Sequence, residues 1–205
     1  MKTKILLVLF LTAFLLSCLN KSNKTEENTA LTPTQKEEVN YVAKGLEYVM
    51  NTQTLLGKNL MTAIQEKGTV NAIEFCNIEA MPLTDSLVKD IDVSIKRVSD
   101  QPRNPNNQAN EEELAYILKS KEALKNETKV LPFLKEQDGK MVSYYPIFTQ
   151  SLCLQCHGNT DTQIQPEVLA KLNNLYPNDK ATGYGEGEIR GIWVVEMQKE
   201  KQSIN

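Results

Sequence analysis

Residues 153–157 read Cys-Leu-Gln-Cys-His, and no other feature constrains this chain as strongly. C-x-x-C-H is the attachment signature of c-type haem. Two thiols two residues apart can add across the two vinyl groups of one porphyrin. The adjacent His157 then lies under the iron and donates a ring nitrogen. Two other chemistries use part of the pattern. A zinc site needs further ligands, and the chain has no second histidine and no second C-x-x-C. A thioredoxin-like redox pair belongs at a strand-to-helix turn of a βαβ unit, which this chain lacks. The expectation is one covalently attached haem c per chain, held by Cys153, Cys156 and His157.

His157 is the only histidine among 205 residues, so two histidines of one chain cannot share the iron. The sixth position is then open, water-bound, or filled by Met, Lys, Cys or another group. Met50, Met61, Met81, Met141 and Met197 mostly fall on apolar faces, where core filling is the ordinary role. Cys76 is unpaired, and it reads equally well as a small buried hydrophobe.

The N-terminus is a targeting segment. Lys2 and Lys4 precede an apolar run from Ile5 to Leu16 that is too short for a comfortable membrane span. It ends in Leu15-Leu16-Ser17-Cys18, which resembles the lipobox of bacterial lipoproteins. The alternative is an ordinary signal peptide with a coincidental cysteine. The lipoprotein reading makes residues 1–17 a signal peptide and Cys18 the lipidated first residue of the mature chain. Residues 18–31 become a polar tether, and residues 32–200 the domain. A lipid on Cys18 holds the domain at a membrane on the periplasmic side. Leu19, in place of an acid, points to the outer membrane rather than the inner one, by resemblance to known sorting rules. The whole chain carries a net charge of −3, and no basic block follows the signal segment, which argues against a nucleic-acid partner.

Apolar spacing predicts one long helix from Pro33, or two broken near Gly57, ending by Gly68. Thr69 to Ala80 reads as a second helix, broken or restarted by Pro82. Asp92 to Ser99 alternates as a strand does, and Asp100 to Asn110 is a loop. Glu111 to Asn126 is helical, with acids first and lysines last. Val130 to Leu134 and Met141 to Phe148 are strands joined around Asp138-Gly139. Pro166 to Leu175 is a short helix, Asn178 to Gly187 a glycine-rich loop, and Gly191 to Met197 a last strand. Helices first and strands late predict an α+β domain with an antiparallel sheet.

The order of these motifs resembles a family of bacterial c-type haem domains with a PAS-like fold, formerly a domain of unknown function. The resemblance rests on Gly57 in the early helix and on Ala72-Ile73-Glu74-Phe75-Cys76 with Ala80. It continues through Arg97-Val98-Ser99, Pro102-Arg103-Asn104-Pro105, Asn107 and Glu112 or Glu113. Tyr145-Pro146-Ile147 before the haem motif, Tyr176-Pro177, Asp179, Ala181-Thr182-Gly183-Tyr184 and Gly187 to Gly191 complete it. It spans roughly residues 34 to 198. It implies a PAS-like antiparallel sheet with flanking helices, and iron held by His157 on one side and Cys76 sulfur on the other. A thiolate ligand implies a low potential compared with a His/Met centre.

Arg97 and Arg103 have two readings, as partners of haem propionates or as loop-structuring charges; Arg103 stands among the cofactor-binding candidates. The expected function is that of a membrane-anchored monohaem electron carrier serving an unidentified redox partner protein. The alternative is a redox or gas sensor that takes a diatomic ligand and signals through a partner. An enzyme is not expected, because no second histidine can act as a distal base.

Overall fold

The structure is a computed structural model that describes residues 33–89 and 92–200. The signal segment, Cys18 and the tether lie outside the described residues. Four helices and four strands follow in the order α1 (Pro33–Ser86), β1 (Val93–Val98), α2 (Glu111–Lys125), β2 (Phe133–Gln137), β3 (Lys140–Phe148), α3 (Leu154–His157), α4 (Pro166–Leu175) and β4 (Ile189–Gln198). The strands form one antiparallel sheet in the order β1-β4-β3-β2. The fold is α+β, with flanking helices and a long first helix, as expected.

Strand β4 is central and carries side chains into both layers. Trp193, Val195 and Met197 join Tyr41, Val49, Ile95, Met141 and Tyr145 in a core under the first part of α1. Ile192 and Val194 join Val98, Ala109, Ile117, Val142 and Tyr144 in a core under α2. A strand buried on both faces reads as a continuous apolar run, which Ile192-Trp193-Val194-Val195 is. A third cluster packs Ile73 of α1 against Ile164, Val168 and Leu172 around α4. Among the described residues, no helix is long and apolar enough to cross a membrane.

The break expected at Gly68, between the first and second helices, is present, whereas those considered at Gly57 and Pro82 are not. The helix is continuous through Gly57 and breaks at Gly68, whose φ of 77° and ψ of 167° are non-helical. A glycine inside a helix costs about 1 kcal/mol, which the leucine-rich surroundings of Gly57 absorb. The second arm also runs through Pro82 to Ser86. Pro82 lies near the helix end, so few hydrogen bonds follow it, and Thr84 Oγ1 donates to Ala80 O at 2.7 Å. Strand β2 starts at Phe133, not Val130. The turn residues Asp138 (φ 52°) and Gly139 (φ 75°) make a two-residue hairpin that pairs Gln137 with Lys140 and so sets the register.

Helix α2 begins with a capping box. Asn110 Oδ1 accepts from Glu113 N, and Glu113 Oε2 accepts from Asn110 N, each at 2.9 Å. The first arm of α1 approaches β3 closely at Gly45. A Cβ there would lie 2.3 Å from Tyr145 Oη, and that hydroxyl donates to Val42 O at 2.8 Å. At Gly57 an added Cβ meets nothing within 4 Å. Gly45→Ala should therefore lower unfolding free energy by about 2 kcal/mol through overpacking. Gly57→Ala should raise it by up to about 1 kcal/mol. Urea-unfolding midpoints check both; a shift of the same sign in the two variants contradicts the packing described.

Candidate functional site

The Cys-x-x-Cys-His motif occupies a 3-10 turn, Ser151–Cys153, followed by the single helical turn α3. A helix this short has no stability of its own, so its position must come from outside. Upstream, the buried Thr149 supplies one anchor. Its Oγ1 donates to Gly185 O at 2.6 Å, and its N donates to Glu188 O at 2.9 Å. Downstream, Gly183 N donates to Gly158 O (2.8 Å) and Tyr184 N to His157 O (2.9 Å). The loop before β4 therefore grips the motif at both ends.

His157 Nδ1 lies 2.7 Å from Ala181 O. A carbonyl only accepts, so Nδ1 carries the proton and Nε2 keeps its lone pair. Arg190 Nε is 3.3 Å from the same Nδ1. Two N–H donors cannot hydrogen-bond each other, so with the shorter carbonyl contact fixing the tautomer, Arg190 is a cation placed beside the ring. Burial holds the imidazole pKa well below its ordinary value, with Arg103 and Arg190 adding to the effect. The ring is thus neutral, with one nitrogen fixed by the backbone and the other available as a ligand. The Tyr184 ring meets it edge-on at 6.4 Å.

The carbonyl that orients His157 is itself held by an ion pair. Asp179 Oδ2 accepts from Arg103 Nε at 2.9 Å, and Asp179 Oδ1 accepts from Ala181 N at 2.7 Å. Arg103 Nη2 donates to Cys156 O at 2.5 Å and more weakly to Ala181 O at 3.4 Å. The pair is largely enclosed, with side-chain exposures of 14% and 8%. Arg103 therefore ties the loop after β1 to the motif and to the loop before β4.

Arg103, Cys156, His157 and Arg190 line one cleft of about 380 Å³, a volume in the range of small-molecule sites. Cys76, on the second arm of α1, lines it together with Cys153, Cys156 and His157. Leu56, Leu60, Ile64, Ile147 and Trp193 make much of its wall apolar, and among the described residues no Asp or Glu lines it. Cys76 is exposed to the open cleft, yet the surrounding protein still raises its thiol pKa, an effect that Arg97 and Arg103 partly offset. Burial pushes the Cys156 thiol up to about 11, against the pull of Arg103. Gly57 lines the same wall, and its missing side chain leaves open space there.

The structure brings Cys76, Arg103, Cys153, Cys156 and His157 to this cleft; Cys18 lies outside the described residues. Of the methionines, Met81 lines the cleft, Met141 and Met197 are core residues, and Met50 and Met61 are exposed on α1. Sequence reasoning missed Arg190 and the roles of Asp179 and Ala181. A backbone carbonyl carries no residue signal. The arginines did carry one, because the chain has only three, Arg97, Arg103 and Arg190, and all three line this cleft.

The sequence profile of the Tll0287-like family matches residues 20–198, and the chain belongs to that family. Its fold is similar to that in the crystal structure of the cyanobacterial haem protein Tll0287, with a TM-score of 0.60. The two are 17% identical in sequence, over 80% of this chain and 98% of that one. No curated protein matches the chain. Within this site, Asp179→Ala leaves the Arg103 guanidinium without its carboxylate and should cost about 3 kcal/mol in urea unfolding. A loss below about 1 kcal/mol would show that the pair does not hold these loops together.

Proposed function

We propose that the chain is a membrane-anchored monohaem c-type cytochrome that transfers electrons at low potential. The observation that carries this reading is a cleft that gathers two neighbouring thiols, a neutral imidazole with Nε2 available and a third thiol. The fit extends to the walls. They are largely apolar and bear three arginines and no carboxylate, which suits a flat apolar ring carrying acidic groups. The related cyanobacterial protein is a haem protein by its title, which supports the same reading.

In this reading Cys153 Sγ and Cys156 Sγ hold the porphyrin as thioethers, and His157 Nε2 is one iron ligand. Ala181 O keeps the His157 proton on Nδ1, so the ligating nitrogen stays free of it. Cys76 is the second ligand, and its sulfur favours the ferric state. The bound group would supply one-electron exchange between ferric and ferrous iron. Lipid on Cys18 would keep the domain at the periplasmic face of the outer membrane, within reach of a redox partner protein. With the only histidine committed to the iron, no imidazole remains as a distal base for peroxidase chemistry.

One observation favours a second reading. Cys76 is exposed on a helical arm that follows the break at Gly68. A ligand so placed can leave the iron to a diatomic gas, as a sensor acting through a partner would require. The test is the Cys76→Ala variant, with midpoint potentials and carbon monoxide binding of the wild type. The carrier reading predicts a low-spin ferric signal lost in the variant, a wild-type potential below that of His/Met cytochromes, and no rapid gas binding. An unchanged ferric electron paramagnetic resonance spectrum removes Cys76 from the iron, and ready displacement by carbon monoxide favours the sensor.

A further inference from the structure

The three arginines of the cleft are not equivalent. Arg103 has its carboxylate, Asp179, at 2.9 Å. Arg190 donates through Nη1 to Ser99 Oγ (2.9 Å) and Gln101 O (3.1 Å), both neutral. Arg97 differs from both. Among the described residues its guanidinium has neither a carboxylate partner nor a hydrogen-bond acceptor; its direct contact is an aromatic ring, with Cys76 and Arg190 near enough to feel its charge.

That ring fixes its place. Arg97 and Trp193 are paired across β1 and β4, and the guanidinium carbon stands 5.3 Å from the ring centroid. A cation–π contact of this kind steadies the guanidinium without using up its N–H donors. A guanidinium has five N–H donors, and leaving them unanswered in a partly enclosed site is costly. The group that best answers them is a planar anion accepting two parallel hydrogen bonds, which is a carboxylate. The cleft offers none of its own, in a chain where acids outnumber bases 26 to 23.

We infer that Arg97, braced by Trp193, is the seat for a carboxylate of the molecule that fills the cleft. Resting on the haem reading above, that carboxylate is a haem propionate. Arg103, the more obvious candidate in sequence, is occupied with Asp179 and the motif backbone, and so shapes the site rather than receiving the ligand's acid. A competing role for Arg97 is also visible, because its charge is felt at Cys76. The experiment must separate a partner of the propionate from a partner of the sulfur.

The test uses the full holoprotein as wild type, Arg97→Lys and Arg97→Gln. Removing the cation beside a propionate leaves an uncompensated anion near the iron, so Arg97→Gln should lower the midpoint potential. Arg97→Lys should lower it less, because the charge stays and only the fork is lost. Both should move the propionate-bending bands in resonance Raman spectra while leaving the low-spin ferric spectrum as it is. A changed ferric spectrum with unmoved propionate bands assigns Arg97 to the Cys76 sulfur and overturns the inference. So does a potential and a band pattern that ignore both substitutions. If Arg97→Gln fails to fold, redox-difference infrared spectra of the wild type with 13C-labelled haem carboxylates decide. A propionate stretch at the position of a free, solvated carboxylate overturns the inference. A wild type that carries no haem would instead sink the functional reading on which it rests.

Discussion

Arg103 and Asp179 are 76 residues apart, and their ion pair joins three stretches of chain that have no regular structure in common. Arg103 comes from the loop after β1, Asp179 from the loop after α4, and the Cys156 carbonyl that Arg103 also holds belongs to the motif. A pair so enclosed adds little net stability compared with apolar packing, but breaking it strands a charge. What it supplies is position. Asp179 fixes Ala181, Ala181 fixes the proton of His157, and the remaining nitrogen of His157 is thereby set for a ligand bond. A four-residue helical turn cannot provide this alone.

The charge pattern of the cleft follows from the same arrangement. Arg103 is neutralised locally, whereas Arg97 and Arg190 leave positive charge in a largely apolar pocket. Such a pocket repels further cations and attracts an apolar ring with acidic substituents. The two effects on an iron held there oppose each other. A thiolate ligand stabilises the ferric state, while nearby guanidiniums stabilise the ferrous one. In the proposed haem reading the potential of the centre would be the balance of these, adjusted through Arg97 and Cys76.

Much of this was legible in the sequence because it depends on local chemistry. The Asp138-Gly139 hairpin, the acidic start of α2 and the proline-led α4 are each defined within a few residues. The α+β class followed from their order. The break at Gly68 was legible too, as the end of the first helix; continuity through Gly57 and Pro82 was not, because a glycine or a proline marks a possible break without deciding that one occurs. The strand before the hairpin shifted by three residues because its register is counted back from the turn, not from the apolar run around Val130. At the site, the residue types were visible but not their pairing. Nothing local marks Asp179 as the partner of Arg103, or Ala181 O as the acceptor for His157.

The central claim is that the cleft holds one haem covalently through the motif thiols. Intact mass and the pyridine haemochrome spectrum of the full chain, produced in a host that matures c-type cytochromes, test it most directly. The account predicts a mass increase of one haem per chain that survives denaturation, with a thioether-type haemochrome. It also predicts loss of that mass when Cys153 and Cys156 are both changed to Ser, and its retention in Cys76→Ser. A chain of unmodified mass, or a haem that remains covalently bound in the double variant, would contradict it.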